Sequence, residues 1–146
     1  MNDEFLIAIW SSASDDYVKE VVKNIFPTNI QLEFVWGRSR ATYRRWLNTD
    51  DYGYFVGNPQ NHYHYTKPLK KVRRNGYNLN RILIVDDTPR KCMHNYGNAI
   101  YPTEYLGAEN DDELKYLSLY LSTLKEKDNV RKIEKRGWRK SIRQSD

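Results

Sequence analysis

The chain has 146 residues, 39% of them hydrophobic and 29% charged, with 12 tyrosines and a formal charge of +5. That length suits one domain built on one core, and no apolar run approaches the roughly 18 residues needed to span a bilayer. A single cysteine, Cys92, excludes an internal disulfide and a cysteine-built zinc site. A cytoplasmic setting is therefore expected, or a nuclear one if the source is eukaryotic.

The charge is unevenly placed. Residues 1–37 carry 2 basic and 6 acidic side chains, residues 38–91 carry 12 and 4, and residues 92–124 carry 1 and 5. From Lys125 onward there are 9 basic and 4 acidic side chains, which accounts for the whole net charge. A basic middle between acidic flanks points to a localised anion site, so nucleic acid is disfavoured as a partner. The basic end reads as a solvated tail.

Phe5–Trp10 is a continuous apolar run, the pattern of a strand covered on both faces. Ser11-Ser12-Ala13-Ser14 follows, and then Tyr17, Val18, Val21, Val22, Ile25 and Phe26 recur at helical spacing. Ser14 is the expected N-cap, Asp15 and Asp16 suit the first turn, and Pro27 marks the stop. Leu32–Trp36 reads as a second strand. Gly37–Tyr65 has little period and reads as an elaborated loop holding a short hairpin.

Lys67–Arg74 is expected to form a short basic helix, ended by Asn75-Gly76. Arg81–Val85 is the second buried strand, with Asp86-Asp87 at its carboxyl end and Thr88-Pro89 as a helix start. Ala99–Tyr101 reads as a further short strand. Asn110-Asp111-Asp112-Glu113 resembles a capping box, opening a helix whose Leu114, Leu117, Leu121 and Leu124 form one apolar stripe. A last basic helix is expected around Val130–Arg136. Strands alternating with helices predict an α/β fold with a mainly parallel sheet.

In such sheets ligands sit at the carboxyl ends of the strands. Ser11 and Ser12 lie there before a helix N-terminus, where hydroxyls and backbone N–H groups suit a phosphate. Asp86 and Asp87 form an adjacent carboxylate pair, which a fold tolerates best with a cation beside it. Mg²⁺, an oxygen-seeking ion that keeps several waters, fits that pair. Lys67 offers a fixed positive charge for a transferring phosphoryl group. Each feature alone is ordinary: a cap, a turn, a surface lysine. Their order, each at a strand end, favours a Mg²⁺-assisted phosphoryl site.

Ile9–Val18, Lys67-Pro68-Leu69 and Ile82–Pro89 together resemble the haloacid dehalogenase superfamily. More narrowly, they resemble the phosphatases related to NLI-interacting factor and the RNA polymerase II C-terminal-domain phosphatases. The resemblance implies a Rossmann-like, mainly parallel sheet and a phosphatase-like domain over residues 1–140, followed by a basic tail over 141–146. It implies that Ser11 hydrogen-bonds a phosphoryl oxygen and that Lys67 balances charge there. Asp87 would ligate Mg²⁺, with Asp86 supporting the metal shell and the lysine. It implies Mg²⁺-dependent hydrolysis of phosphoserine- or phosphothreonine-type monoesters through an aspartyl-phosphate, on a phosphorylated protein or a small phosphomonoester. Arg38 is the arginine singled out for substrate-side contact.

The family's nucleophile lies in an Asp-x-Asp-x-Thr motif after a first strand, and these 146 residues contain no Asp-x-Asp pair. Asn2-Asp3-Glu4 echoes part of it without a preceding strand, and Asp50-Asp51 has the wrong neighbours. In the family that first strand lies between the strands ending here at Trp10 and Val85. A truncated domain, inactive alone and in need of a complementing N-terminal segment, is thus expected. The alternative is a phosphatase-like binding or regulatory protein without catalysis. His62 and His64, spaced for a shared strand face, and Cys92 beside His94 make weaker candidates for a metal and a nucleophile. Arg38, Arg40, Arg44 and Arg45, interleaved with Trp36 and Tyr43, could contact RNA or a phosphopeptide.

Overall fold

The computed structural model describes residues 5–45, 49–58 and 63–143. Their elements run β1 (Ile7–Trp10), α1 (Asp15–Ile25), β2 (Leu32–Trp36), β3 (Thr42–Arg45), β4 (Tyr63–Thr66) and α2 (Lys70–Arg73). There follow β5 (Ile84–Val85), β6 (Ala99–Ile100), α3 (Glu113–Leu124) and α4 (Trp138–Arg143). The chain divides into two units, one Leu6–Lys67 and the other formed by the described residues from Pro68 onward together with Phe5. The fold is mixed α/β, with parallel pairing in two small sheets, β1–β2 and β5–β6, and antiparallel pairing in β3–β4.

In the first unit Ile7 pairs with Leu32, Ile9 with Val35 and Trp10 with Trp36. This is a βαβ unit: a parallel neighbour requires a crossover, and α1 supplies it. Ser14 stands at the N-cap as expected, although its side chain makes no capping bond. Of the predicted apolar stripe only Val18 is fully buried, while Tyr17 and Ile25 are exposed. The Gly37–Tyr65 stretch does contain a hairpin, with Thr42 opposite Thr66 and Arg45 opposite Tyr63.

Both strands read as buried on two faces are only half-covered. Ala8 is exposed and Ile7, Ile9 and Trp10 are half-buried, while Leu6 is 79% exposed and Val85 41%. Among the described residues β1 has only β2 beside it, and β5 only β6. Each therefore keeps one open edge.

The second unit is built around Ile100, Leu117, Tyr120, Leu121, Leu124, Trp138 and Ile142, with Phe5 and Leu83 packed against them. Burying each such side chain contributes about 1.5–3 kcal/mol. The predicted leucine stripe is corrected at one end, since Leu114 is 76% exposed and Tyr120 takes an inward place instead. The last basic helix also lies later than expected. Val130–Lys132 is a single 3-10 turn, and α4 extends through Arg143, burying Trp138 and Ile142. An apolar Trp-x-x-x-Ile pair, not the lysines around it, decides where that helix forms.

Glu113 does not close a capping box. Its carboxylate instead accepts the Thr103 backbone N–H at 3.1 Å and pairs with the Arg139 guanidinium. Arg139 also donates to Thr103 Oγ1 at 2.7 Å. This ties the start of α3 to α4. The hydrogen bond from Arg139, and then that from Thr103, holds the Glu113 carboxyl below its ordinary range, with burial opposing. A depressed carboxylate stabilises the fold above its unfolded pKa, and that contribution is lost as pH falls through the folded one. Glu113→Gln is thus expected to lower the melting temperature at neutral pH and to narrow the gap from wild type in acid. An unchanged gap across an acid titration of the melt would contradict this.

Candidate functional site

The turn after β1 is set against the end of β2 by a run of hydrogen bonds. Ser11 N–H donates to Trp36 O at 2.9 Å and Arg38 N–H to Ala13 O at 2.8 Å. Arg38 Nε donates to Ser12 O at 3.0 Å, and Asp15 Oδ1 accepts the Ser39 N–H at 3.1 Å. The Ser11 hydroxyl oxygen accepts the Ala13 N–H at 3.1 Å, so its own proton remains to be donated outward. Asp15 is held below its ordinary range by these Ser39 hydrogen bonds. The structure thus brings Arg38 to Ser11-Ser12, across 26 residues of sequence.

Gly37 makes this approach feasible. A Cβ there would stand 2.3 Å from Asp15 Oδ1 and 2.8 Å from Asp15 Cα, and the second of these is backbone. Gly37→Ala is expected to cost about 1–3 kcal/mol, the range for forcing a methyl into a filled space. A lowered melting temperature checks this, and an unchanged one would show that the turn has slack. Sequence reading missed Gly37, for which a glycine directly after a strand was the only signal, and it read Asp15 only as a first-turn carboxylate, because its partner Ser39 lies 24 residues away.

Lys67 does not head a helix. It follows β4, is 7% exposed, and α2 begins only at Lys70. Pro68 explains the correction, since its ring disfavours helical torsions in the residue before it. Ser11, Ser12, Arg38 and Lys67 fall in the first unit.

Asp86 and Asp87 fall in the second unit. Asp86 ends β5, its N–H donating to Ile100 O at 3.2 Å, and is 9% exposed. Its Oδ1 accepts the Thr88 N–H at 2.9 Å, and the Thr88 hydroxyl donates to Asp87 Oδ1 at 3.0 Å. Asp87 itself is exposed. Thr88-Pro89 opens only a four-residue 3-10 turn, Pro89–Cys92, and not a longer helix. Asp86, not Thr88, makes the cap-like bond. Two carboxylates at a strand end are hard oxygen donors that fit Mg²⁺, which commonly takes one or two protein carboxylates and completes its shell with water and phosphate. Among the described residues no larger cluster of His, Cys, Asp and Glu gathers as a metal site.

The weaker candidates are placed as follows. Asn2-Asp3-Glu4 and His62 lie outside the described residues. His64 pairs with Arg44 in the hairpin register. Cys92 is completely buried, which makes it a packing residue. Asp50 Oδ1 accepts the N–H groups of Tyr52 and Tyr54, both at 2.9 Å, as a turn former. A cavity of about 620 Å³ opens in the second unit beside Tyr120, Lys127, Asn129 and Ser141, and none of the predicted site residues lines it.

A search of curated proteins found no match. The family model for NLI interacting factor-like phosphatases matches residues 1–131. The chain belongs to that family. The match takes in Ser11, Ser12, Arg38, Lys67, Asp86 and Asp87, so all six predicted site residues lie within family territory. It also spans the β3–β4 hairpin. A phosphatase-type domain is the coarse functional statement this supports. No helix among the described residues is long and apolar enough to cross a membrane.

Proposed function

We propose that the chain is the phosphate-binding and metal-binding part of a Mg²⁺-dependent phosphomonoesterase domain of the haloacid dehalogenase type. Its substrates are phosphoserine or phosphothreonine side chains of a protein, or a small phosphomonoester. The observation that carries this reading is the family match over residues 1–131. Ser11 donates its hydroxyl proton to a phosphoryl oxygen, and the Ser12 turn adds backbone N–H groups at the start of α1. Arg38 adds guanidinium donors on the substrate side, and Lys67 supplies fixed positive charge. Asp86 and Asp87 hold the metal. Mg²⁺ held there would supply charge neutralisation for a phosphoryl group.

The attacking carboxylate comes from outside these 146 residues, because they contain no Asp-x-Asp pair. The segment that brings it also brings a strand of the family's Rossmann-like fold, and residues 1–140 form the bulk of one phosphatase domain. A cytoplasmic setting belongs to the same reading. The missing nucleophile motif also favours a second reading, a phosphatase-like domain that recognises phosphorylated partners without turning them over.

Binding of inorganic phosphate in the presence of MgCl₂, followed by isothermal titration calorimetry, tests the shared part of both. Saturable binding is expected, weakened about tenfold by Ser11→Ala, the loss of one charge-assisted hydrogen bond. Binding that Ser11→Ala and Lys67→Met both leave intact would remove the proposed phosphate site.

A further inference from the structure

The cavity of about 620 Å³ in the second unit has no part in the phosphate and metal chemistry. Its size falls in the range of roughly 300–1,000 Å³ that takes small molecules. The floor is apolar: Tyr120 and Leu124 of α3, 5% and 3% exposed, and the half-buried Ile133. One wall is the turn Lys127–Asn129, and its backbone is pinned. The Arg81 guanidinium donates to Lys125 O at 2.9 Å and to Lys127 O. Asn129 Oδ1 accepts the Arg131 N–H at 3.0 Å, while the buried Lys135 ammonium holds Val130 O and, at 2.9 Å, Ile133 O. A wall fixed in this way does not fall into the space, so the cavity is pre-formed.

The polar groups around that floor say what would fill it. The Tyr120 hydroxyl donates to no described group, although its side chain is buried. A buried phenol in that state is unfavourable unless something in the cavity accepts its proton. Burial, and then the Glu134 charge, push its pKa up, so it stays a neutral donor. Lys127 and Lys132 line the same space, exposed and in no hydrogen bond or ion pair among the described residues. Glu134 is already engaged: its carboxylate accepts the Tyr96 hydroxyl at 2.8 Å and the Arg136 N–H at 2.8 Å, and Arg136 matches its charge. Asp128 offsets one of the two ammonium groups. One positive charge is left over, which favours a monoanion. Inorganic phosphate would leave the apolar floor uncovered, so the occupant needs an apolar body.

We infer that this cavity is a binding site for a small carboxylate on an apolar body. The carboxylate accepts from the Tyr120 hydroxyl and from Lys127 or Lys132, and the body lies on Leu124 and Ile133. An aryl and an acyl carboxylate share this chemistry.

Isothermal titration calorimetry of the full chain with 2-naphthoate, and separately with octanoate, tests this. Saturable binding of at least one is expected, and which of them binds tells the aryl body from the acyl one. Tyr120→Phe keeps the ring and is expected to weaken that binding about tenfold, the loss of one charge-assisted hydrogen bond. Lys127→Gln with Lys132→Gln, both at exposed positions, should weaken it by a similar factor. The neutral 2-naphthamide has the shape of 2-naphthoate without the charge, and it should bind about tenfold more weakly than the naphthoate if the aryl body is the right one. The inference is overturned if neither carboxylate binds saturably, or if Tyr120→Phe and the double lysine variant both keep the affinity. It is equally overturned if inorganic phosphate with MgCl₂ displaces the carboxylate, which would place binding at the phosphate site. None of these variants touches Ser11, Lys67, Asp86 or Asp87, so the result is independent of that site.

Discussion

Lys135→Met is expected to lower the melting temperature by roughly 10 °C, the equivalent of about 3 kcal/mol in a domain of this size. Lys135 is 5% exposed, and its ammonium donates to Gly97 O at 2.6 Å, to Ile133 O at 2.9 Å and to Val130 O. One cation thus satisfies three carbonyls and ties the Val130–Lys132 turn to the segment preceding β6. Burial pushes the lysine below its ordinary pKa, while Glu134 opposes that shift. Methionine fills the same volume but withdraws the ammonium from the Gly97, Ile133 and Val130 carbonyls, of which Val130 O keeps the Ile133 N–H, and an orphaned acceptor costs about 1–3 kcal/mol before relaxation. Circular dichroism during heating reads the change. A shift of only a degree or two would mean that water replaces the ammonium, and that the cage is not a structural fastener.

Lys135 also shows what the sequence withheld. It sits in a run of basic residues that reads as a solvated tail, and its three partners are backbone carbonyls, which leave no trace in residue identity. Asn98 is a similar case: buried, it donates to Leu79 O at 2.7 Å and Ile82 O at 2.9 Å. Local chemistry was easier to read. Ser14 and Pro27 bracket α1, whose described span is Asp15–Ile25, because capping and proline act through neighbouring torsions. Asp86 and Asp87 stand at the end of β5 as their order in the chain requires.

The misreadings share one cause. Leu114 fits the helical period of Leu117, Leu121 and Leu124, yet it is exposed. Periodicity defines a stripe, but the neighbours decide how far along the helix that stripe is covered. Phe5–Trp10 and Arg81–Val85 have the composition of strands packed on both faces, and they lie half-covered. Composition records the environment in which a strand is stable, and it does not report how many neighbours a strand has. The contact between Arg38 and Ser12 joins residues 26 apart, so only the parallel pairing of β1 with β2 makes it visible.

In the proposed reading this chain carries the phosphate and metal residues of a phosphatase domain but not its nucleophile. Hydrolysis of p-nitrophenyl phosphate in excess MgCl₂ tests that claim most directly. An aspartate nucleophile is worth on the order of 10⁴-fold or more in turnover, comparable to deleting the attacking group of other covalent-intermediate enzymes. The chain alone is therefore predicted to release no nitrophenol above the buffer rate. Joined to an N-terminal segment that supplies an apolar strand and Asp-x-Asp-x-Thr, it is predicted to turn over the ester and to lose that activity in Asp87→Ala. Mg²⁺-dependent turnover by the chain alone, abolished in Asp87→Ala, would contradict the account, because a complete catalytic set would then lie within these 146 residues.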